Sequence, residues 1–192
     1  FVTVDDNNID AVIFSKSDLT LNGSGKLTVN ASYGHGIVSK DDLVLTGGEY
    51  SITSEKQALS GKDSIRVADG TYTLNAGKDG LHSENADDTS KGFIYIANGT
   101  FNITCDGDGM DASGTVTVKN GSINITSGGG SENAEKKSEE FFPGGRDLQN
   151  QSAEQTTEQS DSVSAKGIKA DGNLTIVSGE FSINSADDAI HS

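Results

Sequence analysis

Aspartate recurs at one place in a repeated motif, which consists of a glycine or alanine followed by an apolar residue. Four such aspartates lie just before or just after two neighbouring copies of the motif: Asp79, Asp106, Asp108 and Asp111. Carboxylates held close together repel one another unless a cation lies among them or one is protonated. Carboxylate oxygens at a flexible turn are the ligands that Ca²⁺ prefers. The pattern therefore predicts a calcium site; the alternative is that aspartates simply favour tight turns.

A second pair of acids, Asp187 and Asp188, stands before the last copy of the motif. We interpret this pair as half of a second calcium site, and we expect its other half to lie beyond the end of this sequence. A zinc site is disfavoured because the sequence holds no cluster of cysteines and histidines.

Polar side chains recur two places after the first residue of the motif, among them His82, Lys169 and His191, and Lys166 stands one place before it. These positions predict an outward-facing strip that binds sugar hydroxyls or carboxylates, and the two lysines suit an acidic sugar. Tyr95 is also predicted to face outward, where its ring could stack on a sugar. The alternative is that these side chains only solvate the surface.

The motif itself defines the elements that would position these residues. Six copies begin at Gly36, Ala58, Gly80, Gly109, Gly167 and Ala189. Three of the spacings are 22 residues, and each unit contains three short stretches of alternating apolar and polar residues. Self-similarity at a fixed period indicates stacked structural repeats. The sequence therefore predicts an all-β, right-handed parallel β-helix, with about 22 residues per three-strand coil and coils about 4.8 Å apart.

We expect one domain over residues 1–192, interrupted by one long insert. Residues 131–164 are polar, low in complexity and contain the single proline, Pro143. Few apolar residues are available there to offset the entropy of ordering the chain. We therefore expect this insert to be mobile.

Composition narrows the classes of partner. The net charge of −15 argues against nucleic acid, because no basic patch could replace the counterions of a phosphate backbone. The sequence has no apolar run of transmembrane length, so membrane insertion is not expected. Cys105 is the single cysteine, which excludes an internal disulfide and suggests a buried apolar role. Because the sequence opens at Phe1 without a methionine and stops inside a repeat at Ser192, we interpret it as a mature or trimmed segment of a longer protein.

Several stretches resemble a known family. They are residues 11–19, His35 to Leu43, Lys166 to Ala170 and Asp187 to Ser192. They look like bacterial secreted β-helix proteins described as carbohydrate-binding domain-containing, whose members resemble calcium-dependent pectate lyases. The resemblance implies Ca²⁺ on the coil surface and binding of a plant cell-wall polysaccharide, cellulose or polygalacturonate, without established catalysis. It also implies an extracellular or cell-surface location in a bacterium.

The lyase relatives hold Ca²⁺ between aspartates and a uronate carboxylate, and a lysine or arginine then removes the C5 proton. By this resemblance Asp79, Asp108 and Asp111 match the aspartates, and Lys169 is the counterpart of the base. We predict non-catalytic, calcium-dependent binding of polysaccharide. Two alternatives remain: a polysaccharide lyase acting by β-elimination, and a structural surface stalk or adhesin.

Overall fold

The protein forms a parallel β-helix of three sheets in a computed structural model that describes residues 9–134 and 165–192. The first sheet contains β1 (Ala11–Ser15), β4 (His35–Ser39), β7 (Leu59–Gly61), β10 (Leu81–Ser83), β13 (Met110–Ala112), β16 (Ile168–Ala170) and β19 (Ile190–His191). The second contains β2 (Leu19–Leu21), β5 (Asp42–Leu45), β8 (Ser64–Val67), β11 (Phe93–Ile96), β14 (Val116–Val118) and β17 (Leu174–Ile176). The third contains β3 (Lys26–Ala31), β6 (Glu49–Ser54), β9 (Thr71–Ala76), β12 (Thr100–Cys105), β15 (Ser122–Ser127) and β18 (Glu180–Ser185).

Every pairing within these sheets is parallel and joins strands of successive coils, which confirms the predicted β-helix. A short 3₁₀ turn at Ser131–Asn133 follows β15, and the described ranges contain no α-helix. None of their helical residues forms a segment long and apolar enough to cross a membrane. The prediction of a mobile insert at 131–164 falls outside the described residues, apart from its first four positions.

Side chains along each strand alternate between the outside and the inside of the coil, and the inward-facing ones form the core. In β9 the side chains alternate between exposed and buried, with Tyr72 and Leu74 inside and Thr73 outside. The rings of Tyr50 and Tyr72 stack with centroids 5.0 Å apart, and those of Tyr72 and Phe101 with centroids 4.6 Å apart. These rings form an inward-facing aromatic column that packs successive coils against one another.

The glycines of the motif are explained by a close approach between coils in the first sheet. A Cβ atom on Gly80 would lie 2.6 Å from the carbonyl oxygen of Gly109 and 2.5 Å from Cγ2 of Ile103. On Gly109 it would lie 2.5 Å from the carbonyl oxygen of Gly167. Contacts this short leave no room for a side chain. At Gly80 and Gly109 the small first residue of the motif is thus a packing requirement of the coil, whereas the coil at Ala58 accommodates a Cβ atom.

The exposed faces of the sheets differ in chemistry. The third sheet presents rows of threonine, serine and asparagine, such as Thr73, Asn102 and Asn124, which are paired in register. The amide of Asn124 donates a hydrogen bond to the Asn102 side chain at 3.2 Å. The first sheet instead presents histidine, aspartate and lysine. Chemistry that depends on charge is therefore concentrated on the first sheet.

Cys105 is the basis of a test of the core. Its side chain is 2% exposed, and burial, with the nearby charge of Asp79, raises the pKa of the thiol to about 12. Because the thiolate is the reactive form, we expect the folded protein to resist alkylation by maleimide at pH 8 and to react fully in denaturant. A Thr104→Cys variant lacking Cys105 serves as the exposed control and should react without denaturant. Rapid labelling of native Cys105 would contradict the buried position.

Candidate functional site

One row of side chains runs along the exposed face of the first sheet. Its members are paired in register from coil to coil: Val38, Ser60, His82, Asp111, Lys169 and His191. This is the column that the repeats predicted, because every coil adds one residue at the same position of its strand. We call these residues the first-sheet row. It places two histidines, an aspartate and a lysine on one surface.

A second row lies at the corner that leads into the first sheet. Its members occupy equivalent positions just before the motif: His35, Gln57, Asp79, Asp108, Lys166 and Asp188. The backbone pairing confirms that they stack, because the amide of Gly36 donates to the carbonyl of Gln57 at 3.0 Å and the amide of Gly80 to that of Asp108 at 3.0 Å. We call these residues the corner row. The two rows run side by side along the coil axis.

Three side chains from two neighbouring coils converge where the rows meet. Asp79, His82 and Asp111 each offer a ligand atom, and these atoms lie within 4.8 Å of one another. Nδ1 of His82 is 3.1 Å from Oδ2 of Asp111 and 3.4 Å from Oδ2 of Asp79. Burial alone would lower the pKa of His82, but the bond to Asp111 and the charge of Asp79 raise it above its ordinary value. The two carboxylates therefore favour the protonated form of the ring.

Asp111 is the most strongly paired acid of this group. Its Oδ1 lies 2.9 Å from Nζ of Lys169, the next residue of the first-sheet row. Burial would raise the pKa of Asp111, but the hydrogen bonds from His82 and Lys169 hold it below its usual range. The same contact raises the pKa of Lys169 despite partial burial. Asp111 is thus a carboxylate and Lys169 an ammonium at neutral pH.

Asp79 is oriented by the corner row. Its Oδ1 accepts a hydrogen bond from the backbone amide of Asp108 at 2.9 Å, and its Oδ2 accepts one from Nε2 of Gln57 at 3.2 Å. These contacts come from the coils on either side, so stacking fixes the direction in which the carboxylate points. Asp79 therefore presents a preset oxygen to the position that His82 and Asp111 share.

The other two acids of the predicted calcium site are placed differently. Asp108 is 3% exposed, and its Oδ1 accepts a hydrogen bond from the backbone amide of Lys166 at 2.6 Å. Its carboxylate is therefore turned toward the following coil. Asp106 is exposed at the end of the preceding strand. Within the described part of the chain, neither belongs to the close group that Asp79 and Asp111 form, and their role as ligands stays a prediction.

The remaining predicted residues lie at the end of the helix or on another face. Asp187 bonds Nζ of Lys166 at 2.6 Å, and Asp188 bonds Nδ1 of His191 at 2.9 Å. Tyr95 is exposed, as predicted, but it belongs to β11 of the second sheet. The structure therefore places Lys166, Lys169 and both histidines along the first sheet and leaves Tyr95 on a different surface.

Sequence reasoning assigned His82 to sugar contacts and gave Gln57 no role, whereas both contact the carboxylate of Asp79. A signal for the histidine was present in the spacing. Asp79 precedes His82 by three residues, as Asp188 precedes His191, and both pairs bond through Nδ1 and Oδ2. The Asp-x-x-His pattern therefore indicates a local pair in two separate coils.

The fold and the two polar rows define a parallel β-helix protein with one charged sheet face. Residues 2–192 match the protein family described as "Carbohydrate-binding domain-containing protein", and the chain belongs to that family. A protein of the same description from Acetivibrio thermocellus is 45% identical over 47 residues, which make up 24% of this chain and 16% of that protein.

The chain is also similar to a solved structure, the polysaccharide lyase-like protein from C. thermocellum, studied as a gadolinium derivative. The TM-score is 0.69 at 28% sequence identity, over 91% of this chain and 57% of the solved chain. The chain thus spans little more than half of that relative. The similarity extends over nearly the whole β-helix and confirms the resemblance to polysaccharide lyases noted in the sequence.

Proposed function

We propose that this chain binds an acidic cell-wall polysaccharide such as polygalacturonate along the first-sheet row, with Ca²⁺ joining the protein to the glycan. The observation that carries the proposal is the convergence of Asp79 and Asp111, from two coils, on one partly exposed position. A chain with a net charge of −15 repels a polyanion, and a bridging cation removes that repulsion. The family description supports a carbohydrate ligand.

The donors present suit an open calcium site. Ca²⁺ takes about six to eight oxygen ligands, and Asp79 and Asp111 would supply the protein's share. The remaining positions would go to water and to sugar oxygens. The imidazole of His82 is not a preferred ligand for so hard an ion, and its part is to position Asp111. When bound, Ca²⁺ would supply charge neutralisation and a contact to the uronate carboxylate.

The lyase alternative requires Lys169 to act as a base, and a base must be unprotonated to accept a proton. The contact with Asp111 raises the pKa of Lys169 and stabilises its protonated form. The geometry therefore favours binding over β-elimination. The solved relative is named polysaccharide lyase-like, and the lyase hypothesis therefore stays the alternative to binding.

The proposed location is extracellular or on the bacterial cell surface. Calcium modules with millimolar dissociation constants are typical of that environment. A site with only two protein carboxylates is consistent with such weak binding.

Retention on polygalacturonate should depend on calcium. We expect the protein to be retained on immobilised polygalacturonate in CaCl₂ and released by EDTA, with retention restored when calcium is returned in excess. Because a ligand of the folded state stabilises it by mass action, saturating Ca²⁺ should also raise the free energy of unfolding, by about 2.7 kcal/mol at 100 times the Kd. Retention in a pull-down assay and thermal unfolding measure the two effects.

An Asp69→Asn variant is the matched control, since Asp69 is an exposed acid at a turn away from the first-sheet row. It should keep both responses to calcium. Retention that EDTA leaves unchanged would disprove the cation bridge, and a calcium effect on stability without retention would leave a structural ion only.

A further inference from the structure

A groove lies on the first sheet, on the three coils that precede the coil of Asp111. It has a volume of about 300 Å³ and is lined by His35, Val38, Lys40, Gln57 and Lys62, among others, with His82 and Glu84 at the end nearest Asp111. The polar members come from three successive coils, so the groove follows the coil axis as the first-sheet row does. The side chain of Val38, which is 5% exposed, forms an apolar part of the floor.

Two hydrogen-bond acceptors in the lining have no partner. Among the described residues, buried side-chain atoms without a hydrogen bond include Nδ1 of His35 and Oε1 of Gln57. Gln57 is 9% exposed, and its Nε2 is already bonded to Asp79 at 3.2 Å, which leaves the oxygen as an acceptor. An unpaired buried polar atom is costly. These two acceptors could therefore be satisfied by hydrogen-bond donors of a ligand.

Nδ1 of His35 is an acceptor because the ring hydrogen lies on the other nitrogen. Nε2 lies 3.3 Å from Oδ2 of Asp10, so the ring hydrogen belongs on Nε2. Burial lowers the pKa of His35 more than the charge of Asp10 raises it, and the ring is neutral at pH 7. Nδ1 then carries a free lone pair. Since His35 and Gln57 occupy equivalent positions in adjacent coils, about 4.8 Å apart, one sugar ring is long enough to span both.

Two lysines at the rim add positive charge. Lys40 is exposed and makes no ion pair with any acid in the part of the chain that the structure describes; its ammonium lies 5.8 Å from the centre of the Phe14 ring. Lys62 pairs with Asp87, whose side chain is 82% exposed, so this ion pair lies at the surface. In a chain with a net charge of −15, an unpaired lysine beside a groove is a ready partner for a carboxylate.

We propose that this groove is a subsite for one uronic acid unit, whose hydroxyls bond His35 and Gln57 and whose carboxylate pairs with Lys40, without a metal ion. The inference rests on the proposed carbohydrate-binding function and names the sugar class that the face takes. It does not rest on calcium. A glycan that follows the coil axis would contact this groove and the Asp79–Asp111 position together.

The experiment is an NMR titration of the ¹⁵N-labelled protein with trigalacturonic acid in EDTA, which removes any cation bridge. The methyl-esterified trisaccharide is the uncharged probe. We expect shifts of the backbone amides of residues 35–40 and 57–62. Lys40→Gln should weaken binding of the acid about tenfold and leave binding of the ester unchanged. Gln57→Leu should weaken both ligands, since it removes an acceptor for hydroxyls.

Lys119→Gln is the matched control, because Lys119 is another exposed lysine, placed after β14 of the second sheet. It should bind both ligands as the unaltered protein does. No binding in EDTA, shifts on another face, or equal effects of Lys40→Gln and Lys119→Gln would overturn the subsite. The protein could fail to show calcium-dependent retention on polygalacturonate while Lys40→Gln still weakens binding of the acid in EDTA. That result would reject the cation bridge and keep the subsite.

Discussion

Asp111→Ala is expected to weaken calcium-dependent retention on polygalacturonate more than any other single substitution on the first-sheet row. The change removes one of two converging carboxylates, and loss of a supporting group alone costs a metal site roughly 10–100-fold in affinity. It also leaves His82 and Lys169 without their shared acceptor. Because charged hydrogen bonds contribute about 1.5–3 kcal/mol, we expect a loss of that order in the free energy of unfolding. Calcium titration and denaturant unfolding measure the two quantities.

Asp171→Ala is the matched control for this result. Asp171 is a second acid near Lys169, at 3.6 Å, but its side chain is 57% exposed. An exposed ion pair of this kind contributes about 0–1 kcal/mol. Both calcium binding and stability should therefore remain close to those of the unaltered protein. Equal losses for the two variants would mean that general negative charge, and not the position of Asp111, governs binding.

Phe101→Ala should cause the largest loss of stability in the core. The ring is fully buried and stacks on Tyr72, so its removal leaves a cavity between two coils. Substitutions of this kind lower the free energy of unfolding by about 3–5 kcal/mol. Since each coil contacts only its neighbours, the damage should be centred on the coils that contain β9, β12 and β15. Denaturant unfolding measures the loss, and hydrogen exchange locates it.

Thr104→Ala, on the exposed face of the same strand, is the control for Phe101→Ala. A surface change of this kind is expected within about 0.5 kcal/mol of the unaltered protein. If Phe101→Ala cost no more than Thr104→Ala, the aromatic column would not be what stabilises the stacked coils.

Much of the architecture could be predicted because the repeat is a local signal. Alternation in segments such as Thr71–Ala76 indicates which side chains face inward, and the motif spacing indicates which residues stack. The row from Val38 to His191 and the outward position of Tyr95 follow from the same two periods. No side-chain detail is needed for these predictions, because the backbone ladder alone sets them.

The candidate site was predictable only in part, because a carboxylate's direction depends on which hydrogen-bond donors surround it. Asp79 and Asp108 occupy equivalent positions, and each accepts a hydrogen bond from the backbone amide of the next corner-row residue, yet only Asp79 also contacts His82. The spacing indicates the histidine, but it does not indicate the bonds that each carboxylate makes to neighbouring coils. The donors come from neighbouring coils, and they appear only when the coils are stacked.

The stacking follows from the order of the amino acids: a period of 22 residues and the alternation within each strand fix which positions become neighbours. How those neighbours pair is set by the folded coils. Folding of the chain placed His82 between two aspartates and bound Lys169 to Asp111. It also left acceptors on His35 and Gln57 unpaired in a groove. The physical reason is that a repeat specifies backbone position along and around the coil, whereas pairing depends on side-chain direction, burial and the competition among donors from adjacent coils.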